Sequence, residues 1–392
     1  MNVQSSAAAP HASGIGLALI ALMLGNLATG LAVMAPTGMI SMLAKDLSVS
    51  IRDAGFLVTA GAIMLCVGSP AMAWVTTRID RRSLLSAVLL AVAICHVLSA
   101  LAPNFWTLLA TRVAMLAAAA VYTPQAANAV ALLVPPERRA SSIALVFLGW
   151  SVAVAAGLPG ISLGTQAFGW RTVHGVCAII TLGAAALNYY ALRPGLIGEP
   201  LSLQSWVSVA RNPLMLMLLG ITTLQTSGQF ALLTYFDPLT RMRTGGGAEL
   251  IASLFFVFGV CGFIGNLLAA RLAAGIGALR TSVFFLCSLL TGIVFWSLNS
   301  PVLGTIFATV AFWGLGFAAF NSMQQARLIT ASPALSSATV ALNTSALYVG
   351  QAVGSALGGL LFARGLYPEI GYMSAVFMIA ALLLIIPTRS RS

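Results

Sequence analysis

The sequence predicts an all-α membrane protein, with about twelve transmembrane helices in two pseudo-symmetric six-helix bundles. The chain of 392 residues is 59% hydrophobic and only 7% charged, with a mean hydropathy of +0.99. Soluble domains carry about 25% charged residues, so this chain cannot cover a water-facing surface of its size. Apolar runs of helix length alternate with short polar breaks, and one longer polar break divides the chain in the middle. Together these features indicate a polytopic membrane protein.

The apolar runs number about twelve, each roughly 18 to 25 residues or slightly longer. They are too long for barrel strands, and open sheets cannot cross lipid, so we expect helices. The predicted helices 1 to 12 are 14–36, 54–76, 83–102, 105–133, 141–166, 172–192, 213–236, 249–271, 280–299, 302–325, 337–362 and 370–387.

The longest polar break, "LRPGLIGEPLSLQSWVSVARNP", separates helix 6 from helix 7. It predicts an N-terminal bundle over 1–192, a cytoplasmic linker over 193–212 and a C-terminal bundle over 213–392. A weak repeat supports this division. A pair of serines opens helix 5 at Ser141 and helix 11 at Ser336, and Gly164 and Gly359 follow at the same spacing. This pattern favours a duplicated six-helix unit.

The net charge of +11 raises the question of a nucleic-acid partner. The basic residues form no stripe and no cluster interleaved with aromatic residues, so we expect no such partner. They lie in the breaks between helices. With both termini in the cytoplasm, twelve basic residues are on the inner side and six on the outer side. The positive-inside rule therefore predicts this orientation in a cell membrane, which we expect to be a bacterial inner membrane.

The residues of metal and catalytic chemistry are dispersed. The five cysteines lie in apolar runs without metal-ligand spacing, and the three histidines, His11, His96 and His174, are scattered. An enzyme embedded in the membrane needs such groups clustered within the spans. We therefore predict no enzyme, no metal and no cofactor, and keep a membrane-embedded enzyme as a remote alternative. Short loops disfavour a receptor or assembly factor.

One arginine lies inside a predicted span. Arg112 sits in "FWTLLATRVAMLAAAAVY", and its guanidinium cannot lose its proton. At the bilayer centre such a charge costs from about 2.5 to over 10 kcal/mol. The side chain should therefore face the bundle interior near helix 1, with Asn26 or Thr29 and backbone carbonyls as partners. Two roles stay open: a charge that governs transport, and a structural tie between helices 1 and 4.

Charges also concentrate in the loop between helices 2 and 3, "AWVTTRIDRRSLL". Arg78, Asp80, Arg81 and Arg82 stand out in a chain this poor in charge. Arginines at a tight turn can bond helix carbonyls and a carboxylate such as Asp80, which would make a charged latch. The alternative interpretation is topology anchoring.

Helix 5 carries "GWSVAVAAGLPGISLG". Gly157, Gly160 and Gly164 would allow other helices to approach closely, and Pro159 removes one backbone hydrogen bond and kinks the helix. Glycine and proline are common in membrane helices, so ordinary packing is the alternative.

These segments resemble the major facilitator superfamily, in particular its twelve-helix drug:proton antiporters and the bacterial sugar- and drug-efflux proteins. The resemblance spans nearly the whole chain. "RIDRR" is similar to the first family signature, "LLATRVAMLAAAA" to the helix 4 signature, and "AAGLPGISLG" to the helix 5 antiporter signature. "WGLGFAAFNSMQQARL" and "ALNTSALYVGQAVGSALGG" resemble helices 10 and 11. The first signature departs from the family pattern, because Ala73, Thr77 and Asp80 replace its opening glycine, its acid and its internal glycine.

The resemblance implies the major facilitator fold, alternating access and a cavity lined by helices 1, 4, 7 and 10. The polar residues expected there, with one from helix 11, are Asn26, Thr29, Gln125, Asn128, Gln225, Gln229, Asn321, Gln324 and Asn343. The alternative is that some of these amides only tie helices together. The set contains no acid, so a neutral or weakly amphiphilic solute fits better than a cation, as does an anion that could use Arg112.

The expected function is proton-coupled efflux of a drug-like, sugar-like or metabolite molecule by a monomer in the lipid bilayer. A facilitator or importer is the alternative. Many relatives place the coupling acid on helix 1, and this helix 1 has none. Asp237, at the outer end of helix 7, is the best remaining proton carrier. His96 is the other titratable candidate, although helix 3 is peripheral in the family and packing is its more common role.

Overall fold

A computed structural model describes residues 12–76, 78–197, 203–298, 302–332 and 336–388. The regular elements in these ranges are helices. Helices 1 to 4 are Ala12–Asp46, Ile51–Val75, Arg81–Ala100 and Phe105–Leu133. Helix 7 is Pro213–Leu233, and helices 8 to 12 are Ala248–Ile276, Ala278–Ser297, Leu303–Ala331, Ser336–Ala363 and Tyr367–Ile385.

Helices 5 and 6 follow each other without a loop. Pro136–Val152 continues through a π-helical turn, Ala153–Gly157, into Leu158–Ala191. A helix of that length would span more than twice the hydrocarbon thickness of about 30 Å. Gly169 divides it, with a φ of 82° that suits glycine. Eleven described helices are long and apolar enough to cross a membrane, and the divided one supplies two spans. The prediction of twelve helices is confirmed.

Two short helices lie outside the spans. Leu203–Ala210 belongs to the segment between the halves, and Phe236–Thr244 follows helix 7. Several helix starts follow from local sequence. Ser50 caps helix 2 by accepting from the amide of Asp53, and Asn104 and Thr107 form a reciprocal capping box on helix 4.

Helix 1 ends ten residues later than predicted. The expectation that it ends at Pro36 is wrong, because the helix continues to Asp46 with Pro36 inside it. Proline has no amide hydrogen, so the carbonyl of Ala32, four residues earlier, loses its helical partner. The freed carbonyl is part of the candidate site.

The two bundles meet along three seams. Helix 2 packs on helix 11, helix 8 on helix 5 around the π-helical turn, and helix 1 on the short helix after helix 7. We call the face carrying the loops 1–2 and 3–4 the outer face, after the predicted orientation. On the outer half of the helix 2–helix 11 seam, Thr59 Oγ1 lies 2.8 Å from Ser355 Oγ. The outer halves of the bundles are therefore in contact.

Candidate substrate and coupling site

Arg112 lies inside the N-terminal bundle with only 3% of its surface exposed. Its Nη2 donates to the carbonyl of Val33 at 2.7 Å, its Nη1 to the carbonyl of Ala32, and its Nε to that of Leu57 at 3.4 Å. Pro36 explains why a carbonyl of helix 1 is available. The guanidinium thus satisfies the carbonyl that the proline kink leaves without a partner, and it joins helices 1, 2 and 4.

The prediction that Asn26 or Thr29 bonds Arg112 is wrong. Asn26 Nδ2 donates to the carbonyl of Val146 at 3.2 Å, and its Oδ1 accepts from Thr123 at 2.8 Å. Thr29 bonds carbonyls of its own helix. The charge of Arg112 is held by main-chain dipoles, and the amide on helix 1 ties helices 4 and 5 instead.

The helix 4 amides have partners within the bundle. Gln125 is fully buried, and its Nε2 donates to Thr76 Oγ1, at the end of helix 2, at 2.8 Å. Asn128 is exposed and donates to Gln125 Oε1 at 3.2 Å. Among the described residues, no amide side chain of the N-terminal bundle is buried without a partner. These residues hold helices together, as the alternative interpretation proposed.

The amides of the C-terminal bundle keep unused hydrogen-bonding capacity. Gln225 and Gln229, both fully buried, bond each other, which leaves Gln225 Oε1 and Gln229 Nε2 without partners. Turning both amides over would exchange the atoms but leave one donor and one acceptor. Asn343 accepts from Thr222 at 2.8 Å, and its Nδ2 has no partner.

Two further amides add to this group. Gln351 Oε1 and Asn321 Oδ1 are also buried without a partner. Helix 11 lies against helix 7 because Gly350 and Gly354 allow its backbone to approach Thr223 and Ser227. Gln351 therefore lies level with Gln225 and Gln229. Each unsatisfied buried polar group costs about 1–3 kcal/mol, so these amides are suited to a hydrogen-bonding ligand or water.

Gln324 is not part of that open set, whereas Trp313 Nε1 is also buried without a partner. Gln324 donates to the carbonyl of Leu218 at 3.3 Å and accepts from Arg327 at 2.8 Å. Arg327 is 7% exposed and also donates to Thr388 at 2.6 Å, although its sequence position suggested only a loop charge. Trp313 packs edge-on against Phe258, with ring centroids 5.2 Å apart, in an aromatic cluster.

The helix 5 motif departs from α-helical geometry, as Pro159 predicts. The π-helical turn Ala153–Gly157 lies within the motif and ends two residues before Pro159. A Cβ at Gly157 would meet the Leu31 side chain of helix 1, and a Cβ at Gly164 would lie 3.1 Å from Val173. The prediction that another helix approaches closely is wrong for Gly160, because a Cβ there would meet nothing within 4 Å.

The side chains of the 2–3 loop form only part of the predicted contacts. Arg81 Nη1 donates to the carbonyls of Thr76 at 2.9 Å and Ile79 at 2.7 Å, which matches the expected capping of helix 2. Asp80 instead accepts from backbone amides: Arg82 at 2.9 Å, which starts helix 3, and Gly195 at 2.9 Å.

The two remaining loop arginines differ. The guanidinium of Arg82 lies 4.2 Å from the ring centre of Tyr189, and Arg78 is exposed. The amide of Arg81 also donates to the carbonyl of Leu196 at 3.0 Å. The loop is therefore fastened to the segment that leaves helix 6.

Asp237 is buried, 3% exposed, at the start of the short helix after helix 7. Arg241 Nε donates to its carboxylate at 2.6 Å. This acid has a fixed counter-ion one turn away on its own helix.

The sequence analysis missed a histidine pair. His96 Nδ1 and His174 Nδ1 lie 3.0 Å apart between helices 3 and 6, and both rings are buried. Each residue sits one turn from the outer end of its helix, and this shared depth is the signal that could have revealed the pair.

The fold and these buried polar residues define a membrane transporter built from two helical bundles. A sequence model of the Major Facilitator Superfamily matches residues 22–280. The chain belongs to the major facilitator superfamily, and is a multi-pass membrane transporter rather than an enzyme.

Two relatives illustrate its similarities. A "Probable sugar efflux transporter" of Pasteurella multocida (strain Pm70) is 26% identical over 352 residues, covering 90% of this chain and 87% of the relative. The "Inner membrane transport protein YdhP" of Escherichia coli (strain K12) is 28% identical over 376 residues, 95% of each chain. A solved bacterial homolog of the human lysosomal transporter Spinster, in an inward-facing and occupied conformation, has the same fold. It matches with a TM-score of 0.73 and 17% identity, over 98% of each chain.

Proposed function

We propose that the protein exports a small neutral, polyhydroxylated solute such as a sugar, by alternating access and in exchange for protons. The observation that carries this proposal is the set of buried amides in helices 7, 10 and 11 with unpartnered donors and acceptors. A sugar hydroxyl both donates and accepts, so it can complete such a set without bringing a charge into the membrane.

The charged groups argue against the other solute classes. A cationic solute needs a buried carboxylate, and the buried Asp237 is already paired with Arg241. An anion would need a free guanidinium, and Arg112 is engaged with three carbonyls. The similarity to proteins named sugar efflux transporters points the same way.

Alternating access is supported by the contacts between the bundles. On the outer side the halves meet through the hydroxyls of Thr59 and Ser355 and through Gly259, which lies against the backbone of Ala155. These contacts lie between the bundles and not within either one, so they can break without unfolding a bundle. We propose that opening them exposes the C-terminal amides to the outer side.

The test uses purified protein in proteoliposomes with a panel of radiolabelled neutral mono- and disaccharides, a quaternary ammonium ion and an organic anion. We expect counterflow of at least one sugar and none of the ions. Transport of an ion without any sugar would overturn the substrate class. An imposed pH gradient then separates proton-driven export from a facilitator: equal sugar flux with and without the gradient would favour the facilitator.

The membrane arrangement is part of the proposal. We propose a monomer in the bacterial inner membrane with both termini in the cytoplasm, bundles over 1–192 and 213–392, and the linker 193–212 on the cytoplasmic side. Single cysteines replacing Asn104 and Arg138 should react with an impermeant maleimide from outside and from inside, respectively. The opposite pattern would reverse the orientation.

A further inference from the structure

The buried histidine pair is the feature that the proposed transport mechanism leaves unused. His96 is fully buried on helix 3, His174 is 4% exposed on helix 6, and their Nδ1 atoms are 3.0 Å apart. A hydrogen bond between two Nδ1 atoms requires one ring to donate and the other to accept. The rings therefore hold different tautomers.

The pair has room for one extra proton. When His96 donates through Nδ1, its Nε2 carries a lone pair, and that atom is buried without a hydrogen-bond partner. A proton taken from water onto Nε2 makes His96 an imidazolium and leaves the Nδ1–H···Nδ1 bond in place. A second proton would have to bind the accepting Nδ1 atom. Two N–H groups would then face each other without an acceptor between them. The geometry thus describes a site that holds either no extra proton or one.

The surroundings contain one strong charge and one charged cluster at the surface. Helices 1, 4 and 6 pack against helix 3. From helix 4, the positive charge of Arg112 acts on both imidazoles. From helix 6, Trp170 packs edge-on against His174 and donates to Asp46, at the end of helix 1, at 2.9 Å.

The other ionisable groups at this end are peripheral or only weakly acidic. Arg171 pairs with Asp46 at 3.3 Å where both side chains are about half exposed, and Lys45 lies beside them in the chain. Cys95 and Cys177 are thiols on the same two helices as the histidines. The carboxylates of Asp46, Asp53 and Asp237 each have a hydrogen-bond partner. Because an imidazole ordinarily titrates near neutral pH, the pair is the candidate proton site at this end of the bundle.

We propose that the His96–His174 pair binds the proton that is exchanged for substrate, and that it acts on the transport cycle through Arg112. This rests on the proposed function, since it names the carrier for that exchange. A proton on the pair places a second positive charge near Arg112, which weakens the hold of the guanidinium on the helix 1 kink. By reciprocity, the arrangement with Arg112 on the carbonyls of Ala32 and Val33 disfavours proton binding.

The first experiment measures the protonation directly and needs no substrate. The chain has three histidines, so ¹⁵N-histidine labelling of the full-length protein in nanodiscs gives three residues to assign, with His11→Ala removing the one outside the described residues. Between about pH 5 and pH 8, one imidazolium should appear and the inter-ring bond should persist. His96→Asn and His174→Asn should each remove the imidazolium. Two neutral rings over the whole range would overturn the proposal.

The second experiment separates proton coupling from sugar transport. With the radiolabelled sugar panel, His96→Asn should lower accumulation driven by a pH gradient about tenfold or more and leave counterflow within about twofold. Ser99→Ala is the matched control, because it removes a buried hydroxyl one turn away on the same helix without a titrating group.

The outcomes distinguish the two proposals. If the wild-type protein shows no counterflow of any sugar, the proposed function fails while the ¹⁵N titration still tests the pair. If counterflow is present and gradient-driven accumulation survives in His96→Asn, the pair is not the carrier. Loss of gradient-driven accumulation in Asp237→Asn alone would assign the carrier to Asp237 and also overturn the proposal.

Discussion

The two bundles share a fold but use their buried polar groups differently. In the N-terminal bundle, Asn26, Gln125 and Arg112 each bond a group on another helix. In the C-terminal bundle, Gln225, Gln229 and Asn343 retain atoms without partners. Satisfied polar networks rigidify a core, whereas unsatisfied ones cost free energy until a ligand completes them. The difference between the amides of the two halves underlies our proposal that the N-terminal bundle holds its shape and that the C-terminal bundle binds the solute.

The largest effect should come from Arg112. Arg112→Gln leaves buried carbonyls of helices 1 and 2 without enough donors, at about 1–3 kcal/mol for each one lost. We expect a lower melting temperature and transport reduced about tenfold or more. Arg112→Lys keeps the charge but loses the planar fork, so it should retain part of the activity.

Arg327→Gln is the matched change in the other bundle. Arg327 donates to side-chain oxygens of Gln324 and Thr388, which can turn to other partners, so this variant should lose less stability than Arg112→Gln. Melting curves and counterflow in parallel check both. Wild-type transport by Arg112→Gln would refute the assigned role of this residue.

The next effect concerns the seam between the bundles. A Cβ at Gly259 would meet the backbone Cα and N of Ala155 on helix 5. Backbone atoms cannot rotate away as a side chain can, so Gly259→Ala should force the bundles apart at this contact. A cysteine replacing Thr59 should then react about tenfold faster with an impermeant reagent added outside.

Gly275→Ala is the control for Gly259→Ala. It adds a methyl group to the same helix, but a Cβ at Gly275 would meet nothing within 4 Å. Equal labelling rates in Gly259→Ala and Gly275→Ala would mean that the seam does not govern outer access.

A smaller effect is expected within the helix 5 motif. Gly157→Ala would press on the Leu31 side chain, which can adjust at a cost of about 1 kcal/mol. Transport should slow a few-fold, about the change that this free energy allows. Gly160→Ala should match the wild type, because it faces open space. A reversed order in initial transport rates would show that the motif acts by something other than its contact with helix 1.

The smallest effect should come from the 2–3 loop. Arg81→Ala removes bonds to the carbonyls of Thr76 and Ile79 but leaves Asp80 on its two amides. We expect a modest shift between inward- and outward-open populations with the protein still folded. Cysteine labelling from both faces reports this shift, and unchanged labelling with normal transport would leave only topology anchoring.

The sequence predicted the fold well because a membrane allows few solutions. Apolar length requires helices, the central polar break divides them, and Pro159 announces a departure from α-helical geometry that appears as the π-helical turn. Local composition could not show that helix 1 passes through Pro36, because a proline inside a long helix depends on partners elsewhere for the freed carbonyl.

The candidate site was less predictable, because tertiary packing decides which hydrogen-bond partners a buried side chain has. Asn26 and Asn343 look alike in sequence, yet one is satisfied by Val146 and Thr123 and the other keeps a free amide nitrogen. His96 and His174 are 78 residues apart and meet only through the packing of helix 3 on helix 6. Depth along each helix was readable from the sequence, but the facing direction was not.

The central claim is that the C-terminal amides bind and the N-terminal amides support. Gln225→Leu and Gln125→Leu test it most directly when sugar affinity, by counterflow, and melting temperature are measured on both. Gln225→Leu should weaken sugar affinity about tenfold, as loss of a buried hydrogen-bonding group implies. Its melting temperature should fall less than that of Gln125→Leu, because the bond lost to Gln229 is offset by removal of the unpartnered Gln225 Oε1. Gln125→Leu should lower the melting temperature, because Thr76 and Asn128 lose a partner, and leave affinity unchanged. The reverse pattern, or the same pattern in both variants, would contradict the account.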